Sequence, residues 1–154
     1  MPELRRLPHL HSFARQPILF ITTVTSDRKP FLANRAAFEI LTEIWQHSAD
    51  LDGWCVGDYL LMPDHVHLFA RPRPDAKILS KWMETWKSLS SRRLKQRLQL
   101  APPLWQKDYF DRFLRSAESY AEKWDYVAMN PVRKGLCAKP EDWPWKGRIF
   151  DLRF

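Results

Sequence analysis

Two apolar runs, Trp54 to Met62 and His65 to Arg71, stand only Pro63-Asp64 apart. A connection that short, made of turn-forming residues, forces the runs to be neighbouring antiparallel strands. What flanks them narrows the fold further. Upstream, Asn34 is placed to cap a helix in which Ala37, Ile40, Leu41, Ile44 and Trp45 share one face, and Ala49-Asp50-Leu51-Asp52-Gly53 ends it. Downstream, Asp75 to Leu100 carries Ile78, Leu79, Trp82, Trp86, Leu89 and Leu94 along one side. A β-branched and aromatic run, Pro17 to Ser26, precedes the first helix, and a strand from Leu104 to Arg115 follows Pro102-Pro103. A last helix runs from about Ser116 to Asn130, stopped by Pro131 and Gly135. This order of strand, helix, strand, strand, helix, strand predicts an α+β, ferredoxin-like (split βαβ) domain, an antiparallel sheet with helices on one face.

With 154 residues, 45% of them apolar and eight of them tryptophan, the chain can bury a core without metal or disulfide staples. The reading is one domain over residues 17–135, a basic N-terminal arm over 1–16, and an aromatic tail over 136–154 that packs back on the body. No stretch is apolar enough to span a membrane, and the first sixteen residues lack the core of a signal peptide, so a cytoplasmic protein is expected. Cys55 and Cys137 fit no metal-binding or disulfide spacing. Twenty-five Lys and Arg against eighteen Asp and Glu give a formal charge of +7, the balance expected of a chain that meets a polyanion.

Within the second strand of the hairpin, His65 and His67 lie two residues apart and project to one face, while Val66 and Leu68 point to the core. Two imidazoles held at fixed spacing make a metal clamp. The plainer alternative is a pair of half-buried histidines satisfied by neighbouring hydrogen bonds. The last helix supplies a partner. At about 100° per residue, Tyr120, Trp124 and Val127 share one side, whereas Ser119, Lys123, Tyr126 and Asn130 share another. Tyr126 and Asn130 are one turn apart and can face the same point. A phenol that attacks phosphorus forms a phosphotyrosine that conserves bond energy, against which stands an ordinary surface tyrosine. Tyr59, Tyr109 and Tyr120 read as packing residues.

The ordered set MPDHVHLF, LWQKDYFDRFLR and WDYVAMNPVRKGL, with EDWPW close behind, resembles the REP-associated tyrosine transposases, relatives of the single-strand HUH transposases of small insertion sequences. The likeness spans roughly Pro17 to Trp145. It implies a metal-dependent single-stranded DNA endonuclease and strand transferase, cutting at or near hairpin (REP-type palindrome) DNA through a 5′-phosphotyrosine. By this likeness His65 and His67 are catalytic metal ligands for a divalent ion, Mg2+ or Mn2+. Tyr126 is the nucleophile, and Asn130 takes the place of a polar third ligand. Asp64 stands where Asn is commoner in the family, a change that reads as neutral in a turn.

Single-stranded or hairpin DNA is then the expected partner and the bacterial nucleoid the expected location, with monomer and homodimer both open. Arg5, Arg6, Arg15, Lys81, Lys87, Arg92, Arg93 and Lys95 form the expected DNA-binding surface, supplied by the arm and the long basic helix. Two other readings compete. One is a non-catalytic nucleic-acid-binding ferredoxin-like module, which has no use for the histidine pair. The other is a structural zinc protein using Cys55, Cys137, His65 and His67.

Overall fold

The computed structural model describes residues 16–153. The expected arm cations Arg5, Arg6 and Arg15 lie outside the described residues. Five strands form one sheet: β1 (Ile18–Val24), β2 (Trp54–Leu61), β3 (His65–Pro72), β4 (Phe110–Leu114) and β5 (Lys146–Arg148), in the order β4-β1-β3-β2-β5. Every neighbouring pair is antiparallel. The first four strands have the ferredoxin-like order, with β3 inserted between β1 and β2. β5 is an addition from the tail, where the sequence shows only irregular aromatic chain.

Alternation along the strands divides the core in two. Leu19, Ile21, Val56, Leu61, Val66, Leu68 and Ala70 face the crossover helices α1 (Arg35–Asp52) and α2 (Leu79–Leu98), and their cluster includes Ala37, Ile40, Leu41, Ile44, Trp45, Trp82 and Trp86. The anticipated cap is present, with Asn34 Oδ1 accepting the Ala37 amide at 2.9 Å. α1 ends at Gly53, whose φ of 81° favours glycine. On the opposite face, Ile18, Phe20, Leu60, Met62, Phe69 and Leu114 pack with Val127 of α3 (Ala117–Ala128) and with Trp143 of the tail. The two crossover helices therefore share one face, while the tyrosine-bearing helix and the tail lie on the other.

Three boundaries differ from the sequence reading. The long helix begins four residues later, at Leu79, because residues 73–78 make turns back to α1, including Arg73 N to Gly53 O and Lys77 N to Asp52 O. The fourth strand is short because residues 104–106 lie beside residues 24–26 as an isolated bridge, Thr25 to Trp105, rather than in the sheet. The final helix stops at Ala128, and a separate turn, α4 (Asn130–Arg133), starts beyond Met129. Pro131 accounts for the break, since it lacks the N–H that a continuous helix would use.

Candidate active site

His65 and His67 stand side by side on β3, with ring centroids 4.8 Å apart and planes at 82°. Both project from the face covered by α3 and the tail, as the alternation with Val66 and Leu68 requires. Each ring is oriented by a hydrogen bond at Nδ1. Asp64 Oδ1 lies 2.7 Å from His65 Nδ1. A carboxylate only accepts, so His65 carries a proton on Nδ1, and the bond turns Nε2 away from Asp64. Thr22 Oγ1 lies 2.9 Å from His67 Nδ1, and Asn130 Nδ2 lies 3.1 Å from His67 Nε2. The amide donates to Nε2, which puts the His67 proton on Nδ1, donated to Thr22.

Burial pushes the His67 pKa down to about 3, aided by the charges of His65, Lys123 and Arg133. The ring is neutral at neutral pH, and its Nε2 lone pair accepts from Asn130 in this arrangement. Two neighbouring imidazoles tied at Nδ1, one of them backed by a carboxylate, are side chains that could hold a metal ion through Nε2. Among the described residues, no group of three or more His, Cys, Asp or Glu side chains is placed to hold a metal. A third protein donor beside the histidines would therefore have to be an amide, a hydroxyl or a backbone oxygen.

Asp64 is not a neutral occupant of its turn. It orients His65, takes Arg28 Nη1 at 3.1 Å, and its backbone oxygen accepts from Thr25 N and Thr25 Oγ1. Burial raises its pKa, but the hydrogen bonds from His65 and Arg28 outweigh that, and the carboxyl titrates below its ordinary value.

Tyr126 sits on the last turn of α3 and is 61% exposed, open to a substrate. The helix presents the two faces anticipated from its sequence: Val127 is buried with Tyr120 and Trp124 packed beside it, while Ser119, Lys123 and Tyr126 line a groove of about 940 Å3. Arg133 joins the tyrosine to the histidines. Its guanidinium lies 3.9 Å from the Tyr126 ring centroid, and Nη2 donates to Tyr126 O at 2.7 Å and to Asn130 Oδ1. Asn130 consequently turns its nitrogen, not its oxygen, toward His67. An amide ligates through oxygen, so service as a third ligand requires this side chain to turn over.

The Tyr126 helix is seated by a second cluster. Tyr120 Oη donates to Asp58 Oδ2 at 2.6 Å, and Arg148 Nε reaches Asp58 Oδ1 at 3.1 Å. The Tyr120 ring stacks on Phe69, centroids 4.2 Å apart. Burial and the Asp58 carboxylate raise the Tyr120 pKa, which keeps this phenol a donor and removes it as a rival nucleophile.

The expected cations of the long helix do not gather here. α2 covers the opposite face of the sheet from the histidines. Lys87 Nζ donates to the carbonyls of Gln106 at 2.7 Å and Lys107 at 3.0 Å, and burial lowers its pKa. Arg93 pairs with Glu43 at 2.6 Å, and Lys81 lies 3.7 Å from Glu84. Arg92 and Lys95 are exposed on the same helix. The cations beside the histidines are Lys123 and Arg133. The sequence places Lys123 on the Tyr126 side of its helix, but does not show the nearness of either cation, of Thr22 or of the Asp64 bond to the histidines, because register and helix docking bring them together from separate parts of the chain. The quoted run NPVRKGL did contain Arg133.

A family model described as "Transposase IS200 like" matches residues 18–127. A REP-associated tyrosine transposase of Escherichia coli (strain K12) is 26% identical over 92 residues, 58% of this chain and 52% of that protein. The chain thus spans about half the length of this curated relative. Among solved structures, a REP-associated tyrosine transposase bound to a REP hairpin superposes with a TM-score of 0.66 at 19% identity, covering 99% of this chain and 95% of that one. A putative transposase from Deinococcus radiodurans R1 gives a TM-score of 0.57 at 20% identity, covering 82% and 95%. The resemblance read from the histidine and tyrosine motifs is borne out, and no helix among the described residues is long and apolar enough to cross a membrane. With its family model spanning most of the described fold, the chain belongs to the IS200-like transposases.

Proposed function

We propose that this protein is a HUH-type single-strand DNA nuclease and strand transferase, acting on hairpin DNA of the REP type with Tyr126 as nucleophile. The observation that carries the reading is the short connection from an exposed tyrosine to a histidine pair. Arg133 holds Tyr126 and Asn130, and Asn130 holds His67. Family membership and the fold shared with a hairpin-bound REP-associated transposase support it.

In the cleavage step the Tyr126 phenolic oxygen attacks phosphorus in line and the phosphorus–O3′ bond breaks. The phenol proton leaves to solvent and the departing 3′ oxygen gains one, leaving a 5′-phosphotyrosine and a free 3′-hydroxyl. A second 3′-hydroxyl reverses the step and joins strands without ATP. His65 and His67 would hold a divalent ion, Mg2+ or Mn2+, with Asn130 as a third donor after its amide turns over. That ion would polarise the scissile phosphate and offset its growing charge. Lys123 and Arg133 add fixed positive charge on the same side of the sheet.

The test is a covalent adduct. Wild-type protein with hairpin DNA from its own genomic flanks and Mn2+ should give a product that survives boiling in detergent, with the DNA mapped to residue 126. Tyr126→Phe should fold, bind DNA and give none. An adduct in the Phe variant, or none in the wild type with either ion, would overturn the reading, the latter leaving a hairpin-binding module.

A further inference from the structure

Sheet register carries the histidine face outward to an open edge. Directly paired residues share a face. His67 pairs with Thr22, and Thr22 pairs with Phe110 on β4. The next row on this face is Phe69, Phe20 and Arg112, and Leu114 one row further is buried against the same cluster, which fixes the parity of β4. Phe110 therefore stands on the histidine side of the sheet, two strands or about 10 Å from His67. It is 53% exposed, on a strand with no further neighbour among the described residues.

An exposed phenylalanine beside a polar site offers a flat apolar face to a partner. Its surroundings name the occupant. Arg112 lies next to it, Cζ 5.9 Å from the ring centroid. Arg112, Phe113, Arg115, Glu122, Lys123 and Tyr126 line the groove between β4 and α3, and Phe110 adjoins it through Arg112. A flat apolar ring beside a groove that holds cations and a candidate nucleophile matches the alternation of base and phosphate along a single strand. A second copy pairing antiparallel along β4 and centred on Arg112 would instead set the two Arg112 side chains against each other, an arrangement that protects an edge from association.

We infer that Phe110 is a stacking platform for a base of the single-stranded DNA flanking the scissile phosphate, with Arg112 holding an adjoining phosphate. This rests on the proposed function, because it takes the strand that Tyr126 would cut. It adds a subsite that neither the histidine nor the tyrosine motif contains.

The experiment uses a hairpin oligonucleotide with single-stranded flanks carrying 2-aminopurine at successive flank positions. Binding is measured to the Tyr126→Phe protein, so that no strand is cut. One flank position should be quenched. Adding Phe110→Ala should abolish that quenching and weaken binding roughly 5- to 100-fold, the range of one lost base–aromatic stack. Phe110→Trp should restore both, and a hairpin lacking flanks should bind all three proteins equally. Arg112→Gln should lower the log–log salt slope by about 0.7. Unchanged quenching and affinity in Phe110→Ala would overturn the inference. So would a wild-type dimer in sedimentation that Phe110→Ala dissociates. The adduct assay separates the two proposals. A wild-type adduct with no Phe110 effect sinks the subsite alone, whereas quenching without any adduct sinks the nuclease and leaves a strand-binding site.

Discussion

Arg133 lies against the ring of Tyr126, its guanidinium carbon 3.9 Å from the centroid, while one of its nitrogens holds the Tyr126 carbonyl and the Asn130 amide oxygen. A planar fork can stack and donate in two directions at once, and an ammonium cannot. Arg133→Lys should therefore behave like Arg133→Ala. Both should slow single-turnover adduct formation by about tenfold or more, from the lost stacking and charge-assisted hydrogen bonds. Circular dichroism should be unchanged, because the side chain is exposed. A Lys variant with wild-type rate would show that charge alone matters.

Asp64 should tune ion binding at His65. Its carboxylate accepts from Nδ1–H and holds the ring with Nε2 pointing away from the turn. Asp64→Ala should weaken Mn2+ affinity, measured by calorimetry or electron paramagnetic resonance, by about 10- to 100-fold. Asp64→Asn keeps an oxygen that can accept from Nδ1–H and should lose less. Equal losses in the two variants would assign the effect to the turn rather than to the hydrogen bond.

Metal-free protein should lose stability in acid through His67. The ring is held neutral with a pKa near 3, against 6.5 when unshifted. Between those values the unfolded chain binds a proton at this site and the folded chain does not, so unfolding free energy falls as pH falls through that window. Urea midpoints in EDTA should drop from pH 6.5 towards 4, and His67→Gln should flatten the drop. A drop of the same size in that variant would place the acid sensitivity elsewhere.

Tyr120→Phe removes one of the partners of the buried Asp58 carboxylate. The loss should be about 1–3 kcal/mol by urea titration. The adduct should still map to residue 126. Combining this change with Asp58→Ala should cost less than the sum of the two single changes, since both remove the same bond.

The fold was legible because its signals are local. Asn34 announces its cap, α1 shows its buried stripe, and Pro63-Asp64 marks the hairpin. His65 and His67 were legible as a same-face pair for the same reason, and so were the two sides of α3. What escaped was set by register. Thr22 meets His67 only when β1 docks antiparallel on β3, across 45 positions of sequence. The expected DNA-binding surface on the long helix rests on the density of its cations. The sequence pattern shows that α2 has a core side but not which face of the sheet it covers, and it covers the face away from the histidines. β5 is three residues long and pairs through its backbone with the edge of β2, too brief to leave a pattern.

The bond set around Asp58 has a temporal side. It joins β2, the tyrosine helix and Arg148 of β5. A ribosome delivers the histidine strand first, Tyr126 some sixty residues later, and Arg148 another twenty-two after that. The set of bonds that seats the Tyr126 helix is thus completed only after nearly all of this sequence has been translated. Tyr120 can reach Asp58 as soon as its helix is made, and Arg148 is the last of the three partners to arrive.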